Sequence, residues 1–180
     1  DVAEVFWAPD SSSYLVRFKD SLSQNRSKHL EQYDKNGQKI STIYELGNVW
    51  RVSWAPDSSS YLIQFWDAQL KLHSNSSYPV NDTALFDASL FAWAPDSSSY
   101  LVFLEDGSLE LYNKLGDEIR SIDLDDVLNV YWAPDSSSYF VLLGDGRLEQ
   151  YATNGQRINN ILNDVLNVYW APDSSSYFVL

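Results

Sequence analysis

The side chains able to do covalent or metal chemistry are few. The chain has 180 residues, no Cys and two His, His29 and His73. Without Cys there is no thiolate nucleophile, no disulfide and no Cys-ligated zinc, and two imidazoles are too few for a three-His metal site. His73 ends the run Leu70-Lys71-Leu72-His73, where sister runs end in Tyr, so it reads as a substitute for that aromatic. A metal or acid-base role is the alternative. Asp123, Asp125 and Asp126 lie together and could attract a cation, but their spacing fits no calcium loop, which favours a solvated acidic turn. Nothing marks a glycosidase-like carboxylate pair among the 25 acidic residues, and no Ser, His and carboxylate set stands outside the repeated turns. The expectation is a protein that is not an enzyme, with no cofactor and no bound metal.

Charge narrows the partners. Lys and Arg total 12 against 25 Asp and Glu, a formal net charge of −13. Such a surface repels phosphates, which argues against nucleic acid and against anionic membranes. No apolar run approaches the length that spans a bilayer and no charged leader precedes one, so a soluble chain is expected, cytoplasmic with secretion left open. Asn75-Ser76-Ser77 and Asn81-Asp82-Thr83 match the glycosylation triplet, which matters only in a secreted chain. The absence of Met leaves a processed product, an excised piece or an incomplete stretch of a longer chain as readings of the ends.

What positions these residues is an internal repeat. The string WAPDSSSY begins at Trp7, Trp54, Trp93, Trp132 and Trp170, 47, 39, 39 and 38 residues apart. Five of the seven Trp and five of the six Pro lie in it, so these types mark one recurrent place. Residues 126–142 are identical to 164–180, which implies recent duplication or deliberate design. The fourth repeat shows the pattern. Residues 127–133 are β-branched and aromatic and end at a Pro-Asp-Ser turn; 139–143 are apolar throughout and stop at Gly144-Asp145-Gly146; 148–151 alternate; 158–162 resume after Asn154-Gly155. The same four segments recur at 2–8, 14–18, 30–33 and 40–43, and at 88–94, 100–104, 109–112 and 119–122. Nothing has a sustained helical period. The chain therefore reads as all-β, with repeats at about 1–47, 48–86, 87–125 and 126–163 and a partial fifth at 164–180. Four strands in roughly 40 residues cannot close a core alone and must stack on neighbours, which predicts a β-propeller of four-stranded antiparallel blades. In this frame Trp7, Trp54, Trp93, Trp132 and Trp170 are packing residues, and Asp10, Asp57, Asp96, Asp135 and Asp173 are turn residues before they are catalytic carboxylates.

The pattern Val-x-x-Val-x-Trp-Ala-Pro-Asp-Ser, as at 127–136, resembles the Val-x-x-Val-x-Phe-Ser-Pro-Asp-Gly segment that opens WD-repeat blades. TolB-like propellers carry a Trp-Ser-Pro-Asp-Gly segment in the same place. The Gly-His pair of many WD repeats is missing, and Tyr33-Asp34, His73-Ser74, Tyr112-Asn113 and Tyr151-Ala152 stand where the Trp-Asp pair would fall. The resemblance thus implies the fold without the family's His and Asp hydrogen-bond network. Trp66-Asp67 falls after the second segment and is a false match.

Four blades and a half leave open flanks, so self-association is expected, a homodimer closing one ring with the surplus strands disordered, displaced or joining a ninth position. A truncated longer propeller is the alternative. Function should lie where repeats differ. Those positions sit one, three and four residues before each Trp: Phe6, Glu4 and Ala3; Ser53, Arg51 and Trp50; Ala92, Leu90 and Ser89; Tyr131, Asn129 and Leu128. The resemblance places them near the channel or the face where propellers bind partners. Glu4, Phe6, Trp50, Arg51, Leu90, Asn129 and Tyr131 are the candidate partner-binding residues, with Trp50 and Arg51 foremost. The insertion at 19–28 carries Lys19, Arg26 and Lys28 and could clamp an acidic partner, or simply be a solvated loop. The expected function is a non-catalytic scaffold for proteins or peptides, recently amplified or designed. The alternative is a small-ligand or glycan binder with one equal site per blade.

Overall fold

The computed structural model describes residues 2–18, 29–44, 48–76 and 84–180. The insertion at 19–28 and the triplet Asn81-Asp82-Thr83 lie outside the described residues. The chain divides into two units, Asp1–Asp87 and Ala88–Leu180. Every regular element among the described residues is a strand.

The first unit contains two four-stranded antiparallel meanders. One is β1 (Val2–Trp7), β2 (Ser13–Phe18), β3 (His29–Asp34) and β4 (Lys39–Tyr44); the other is β5 (Val49–Trp54), β6 (Ser60–Phe65), β7 (Leu70–Ser74) and β8 (Ala84–Leu85). The second unit has β9 (Ala88–Trp93), β10 (Ser99–Leu104), β11 (Ser108–Asn113) and β12 (Glu118–Asp123), then β13 (Val127–Trp132), β14 (Ser138–Leu143), β15 (Leu148–Ala152) and β16 (Arg157–Leu162). A two-stranded sheet, β17 (Val168–Trp170) with β18 (Tyr177–Val179), follows. These sheets are blades 1 to 4 and a partial blade 5. The last strands, expected to be disordered, displaced or to join a further blade position, are paired and pack on blade 4, burying Phe140, Leu142, Leu148, Val165 and Val168 in one cluster. Blade 4 has neighbours on both faces within the unit, and all six residues of β14 are buried.

The WAPDSSSY string makes the first turn of each blade and also the seam between blades. Within the turn, the Asp carboxylate accepts from the Ser amide two residues on, as in Asp10 to Ser12 at 2.9 Å and Asp135 to Ser137 at 3.0 Å. The first Ser of the triplet adopts a left-handed backbone in all five copies, with φ of 60°, 62°, 63°, 61° and 59° at Ser11, Ser58, Ser97, Ser136 and Ser174. A left-handed residue with a Cβ is disfavoured by roughly 1 kcal/mol, and Gly would avoid that cost. Ser is retained because its hydroxyl has a task. Ser58 Oγ accepts the amide of Asp10 at 3.0 Å, Ser136 Oγ that of Asp96 at 2.9 Å, and Ser174 Oγ that of Asp135 at 2.9 Å, each reaching back to the preceding blade. The Trp, four residues earlier in the string, does the same. Trp54 Nε1 donates to the Phe6 carbonyl at 3.2 Å, Trp132 to Ala92 at 3.3 Å and Trp170 to Tyr131 at 3.3 Å. The repeated Trp therefore bridges blades at the edge of the core instead of sitting wholly inside it.

Each blade also carries an aromatic ladder across its first three strands. Trp7, Tyr14 and Tyr33 sit opposite one another, as do Trp54, Tyr61 and His73; Trp93, Tyr100 and Tyr112; and Trp132, Tyr139 and Tyr151. The inner pairs stack at 5.3 to 5.5 Å, a geometry that adds about 1 kcal/mol beyond area burial. His73 stacks on Tyr61 in the same register as the Tyr of the other blades.

Two expectations follow. Ser136→Ala loses the seam bond while keeping the left-handed strain and should lower stability by about 1 to 2 kcal/mol, whereas Ser136→Gly should cost less than half of that; urea unfolding ranks them. The amide and hydroxyl of Ser137 hold the Asp135 carboxyl below its ordinary value, as those of Ser12 do for Asp10. A folded-state value below the unfolded one stabilises at neutral pH and is lost as pH falls through the folded value, below about 4. The difference in unfolding midpoint between wild type and Asp135→Ala should thus be greatest near neutrality and shrink as pH falls below about 4.

Candidate functional site

Where strand one of each complete blade pairs with strand two, one extra residue breaks the register. The shift falls between Val2 and Glu4 in β1, Val49 and Arg51 in β5, and Val127 and Asn129 in β13; in blade 3 it lies opposite Phe103 and Leu104, leaving Ser89 unpaired. The bulged residues are Ala3, Trp50, Ser89 and Leu128, and all four are exposed. A bulge turns its extra side chain out of the alternating pattern, so it can vary without disturbing the core.

Trp50 is the largest of these side chains and is 51% exposed. It meets Trp66, itself 61% exposed, edge to face with ring centroids 4.0 Å apart. The Trp66 amide donates to the Asn48 carbonyl at 2.9 Å, so the turn after β6 is tied to the entry of β5 and both indoles stand on one rim. Arg51, also exposed, follows directly. Trp66 was assigned no role from sequence; only its place after an apolar strand, in a turn, hinted that it would be out in solvent.

The other sequence-selected residues are placed as follows. Glu4 pairs with Arg17 at 2.8 Å, and Arg17 donates to the Val49 carbonyl at 2.9 Å, linking blades 1 and 2. Phe6 packs on the core between those blades, Leu90 on the cluster between blades 3 and 4, and Tyr131 on the cluster of blades 4 and 5. The Tyr131 hydroxyl bonds Asn167 at 2.9 Å, while Asn129 Oδ1 accepts the Val130 amide. The structure thus brings Trp50 and Arg51 together on an exposed rim and puts Phe6, Leu90 and Tyr131 in seams. Asn75 of the first glycosylation triplet has its amide nitrogen on the Ser58 carbonyl at 2.9 Å, and its Oδ1 accepts from Ser13 and Gln32, so this side chain is used in the blade 1 and 2 seam.

Within the second unit a polar cleft of about 550 Å³ runs between β12 and blade 4, lined by Arg120, Asp123, Asp125, Arg147, Glu149 and Arg157 among others. The side chain of Glu149 is only 2% exposed. The reason is a set of partners: the Tyr151 hydroxyl at 2.6 Å, Arg147 at 3.3 Å and Arg157 at 3.5 Å. Burial, helped by the Glu149 hydrogen bond, pushes the Tyr151 phenol above its ordinary value, so it stays a neutral donor. Glu31 with Tyr33 and Lys39, and Glu110 with Tyr112, repeat the motif in blades 1 and 3. Blade 2 replaces the Glu and Tyr by Lys71 and His73. Arg120 crosses the backbone of Gly155, where a Cβ would come within 2.5 Å of the Arg120 stem. Within blade 4, Glu149 matches Arg147 and Arg157, and Asp145 pairs with Arg147 as well. Among the described residues no group of three or more His, Asp or Glu converges on a metal site, the Asp123, Asp125 and Asp126 cluster included. Asp126 instead takes φ of 56° and packs against Gly144, whose missing Cβ gives its carboxylate room.

No family model and no curated protein matches the chain. Solved structures do. A eukaryotic initiation factor matches with a TM-score of 0.67 at 16% identity, over 91% of this chain and 43% of that one. Hsv2 of Kluyvelomyces marxianus matches with a TM-score of 0.69 at 12% identity, over 99% and 60%. Chaetomium thermophilum Sqt1, bound to the N-terminus of the ribosomal protein L10, matches with a TM-score of 0.64 at 14% identity, over 99% and 55%. The chain spans about half the length of these structures. The fold is that of WD40-type β-propeller blades, four complete and one partial.

The buried Glu149 yields a graded expectation. Glu149→Ala strands the Tyr151 hydroxyl and should cost about 2 kcal/mol, while Arg157→Ala, which removes a half-exposed partner, should cost less than about 1 kcal/mol; chemical denaturation separates the two.

Proposed function

We propose that the chain is a non-catalytic scaffold that binds a protein or peptide, with Trp50, Trp66 and Arg51 as its anchor. The observation that carries this reading is the exposed edge-to-face Trp pair, held on a rim by a bulge and a tied turn beside an Arg. Trp and Arg dominate binding hot spots because they combine large apolar area with a polar handle and few rotors. A negatively charged surface around an exposed Arg suits a partner segment that is apolar with basic residues at its flanks. Sqt1, one of the matched folds, is bound to a segment of another protein, which supports a peptide as the partner class.

The alternative, one equal ligand site per blade, meets an obstacle at the bulges. Ala3, Trp50, Ser89 and Leu128 share no chemistry, so the most exposed variable position does not offer four like sites.

The test is selection from a displayed peptide library on the intact chain, followed by titration using Trp fluorescence. Selected peptides should bind one per chain, and Trp50→Ala should weaken them about 30-fold, the loss expected for a hot-spot Trp, with the unfolding midpoint unchanged. Peptides that bind Trp50→Ala and Trp66→Ala as tightly as wild type would remove the assignment, and several equal weak sites per chain would favour the alternative.

A further inference from the structure

The cleft of about 550 Å³ between β12 and blade 4 lies wholly within the second unit, and its size is that of a small-ligand site. Three of the chain's 12 basic side chains, Arg120, Arg147 and Arg157, line it, although the formal net charge is −13. They come from three places: Arg120 from β12, Arg147 from the turn before β15, and Arg157 from the start of β16. The set is not a by-product of the repeat. Ser41 stands in β4 where Arg120 stands in β12, and Glu118 stands in β12 where Arg157 stands in β16. His29 and Ser108 occupy the place of Arg147 before their own Leu-Glu-x-Tyr runs.

The three guanidinium groups are unequally engaged. Arg147 donates to Asp145 at 2.6 Å and to Glu149 at 3.3 Å, so its charge is matched locally. Arg157 has one long contact, 3.5 Å to Glu149, and its side chain is 53% exposed. Arg120 forms no ion pair or hydrogen bond among the described residues. Its aliphatic stem lies over Gly155, two residues before Arg157, so the missing Cβ lets Arg120 approach the start of β16. The Tyr139 hydroxyl, on a fully buried side chain, has no hydrogen-bond partner among the described residues, and Arg120 is the charge that acts on its phenol. This end of the cleft holds more donors than acceptors, and what it lacks is oxygen.

We infer that this cleft binds a ligand through a carboxylate group, held by the guanidinium forks of Arg120 and Arg157. The paired N–H donors of a guanidinium match the two oxygens of a carboxylate. A single negative charge suits the site better than a phosphate dianion. Glu149 lies buried beside Arg157, the charge of Asp125 already acts on Arg147, and the chain as a whole repels anions. The C-terminal end of a peptide and a small organic acid share this chemistry. The site is separate from the Trp50 rim, which belongs to the first unit, and does not depend on peptide binding there.

The experiment is a titration of the intact, isotope-labelled chain followed through its arginine Nε–H signals by NMR, with triglycine, triglycine amide, propionate and inorganic phosphate as probes. Triglycine should move the Arg120 and Arg157 signals to saturation, and triglycine amide, which lacks the carboxylate, should leave them in place. Arg120→Gln and Arg157→Gln, read on the remaining arginines, should each weaken triglycine about 10-fold, and Arg120→Lys, which keeps the charge without the fork, about 3-fold, with the unfolding midpoint retained. Trp50→Ala should leave the titration unchanged, which separates this site from the rim. Propionate as tight as triglycine assigns the cleft to a small organic acid, and weaker propionate assigns it to a peptide end. Signals unmoved by both carboxylates, shifts reproduced by the amide, phosphate tighter than either carboxylate, or full affinity in Arg120→Gln overturns the inference.

Discussion

A blade of four short strands has two apolar faces and too little interior to hide either, so the fold depends on the seam between successive blades. Apolar contact alone would let blades slide, since a twisted meander offers many near-equal ways to stack. Two directional bonds remove that freedom. An indole N–H fixes the end of the first strand against its neighbour, and a serine hydroxyl fixes the turn that leaves it. They lie four residues apart in one eight-residue string, so the string carries both the turn and the docking of the blade. That is the physical reason for near-perfect repetition there and for its absence elsewhere.

The same division explains where specificity can reside. Residues that reach the neighbouring blade are constrained by it. Phe6, Leu90 and Tyr131 vary among repeats, yet each is tied into a seam cluster, and their variation adjusts packing. The bulged position is freed from that constraint because it has no partner across the strand pair. In blade 2 it is occupied by an indole that meets a second indole. The buried carboxylate of blade 4 shows the opposite case, a polar group drawn inside because a phenol and two guanidinium groups receive it.

Much of the fold was legible in the residues. The recurrence of Trp, Pro and the Ser triplet marked the turns, and β14 follows from the uninterrupted apolar run at 139–143. The hydroxyl of the first Ser was not legible, since a Ser in a turn has a sufficient local explanation and nothing in its neighbours announces a partner 39 to 48 residues away. Nor was the fate of Glu149, because a carboxylate in a short strand carries no local sign of burial and only the proximity of Tyr151, Arg147 and Arg157 secures it. The bulge went unread for a similar reason: an extra residue in a strand leaves no mark in composition, although Trp50 was singled out by its type. Trp66 was set aside as part of a misleading dipeptide, and its pairing with Trp50 required the tie between its amide and Asn48.

A bulge at the first strand of each complete blade means that copying the module also copies an unassigned letter. Once blades are multiplied, each new copy brings a surface position that can drift to Ala, Trp, Ser or Leu while the folding instructions on either side stay unaltered. Diversification of a duplicated array of this kind need not wait for compensating changes in the interior; novelty can accumulate one exposed side chain at a time, and the earliest differences between sister modules should be found there.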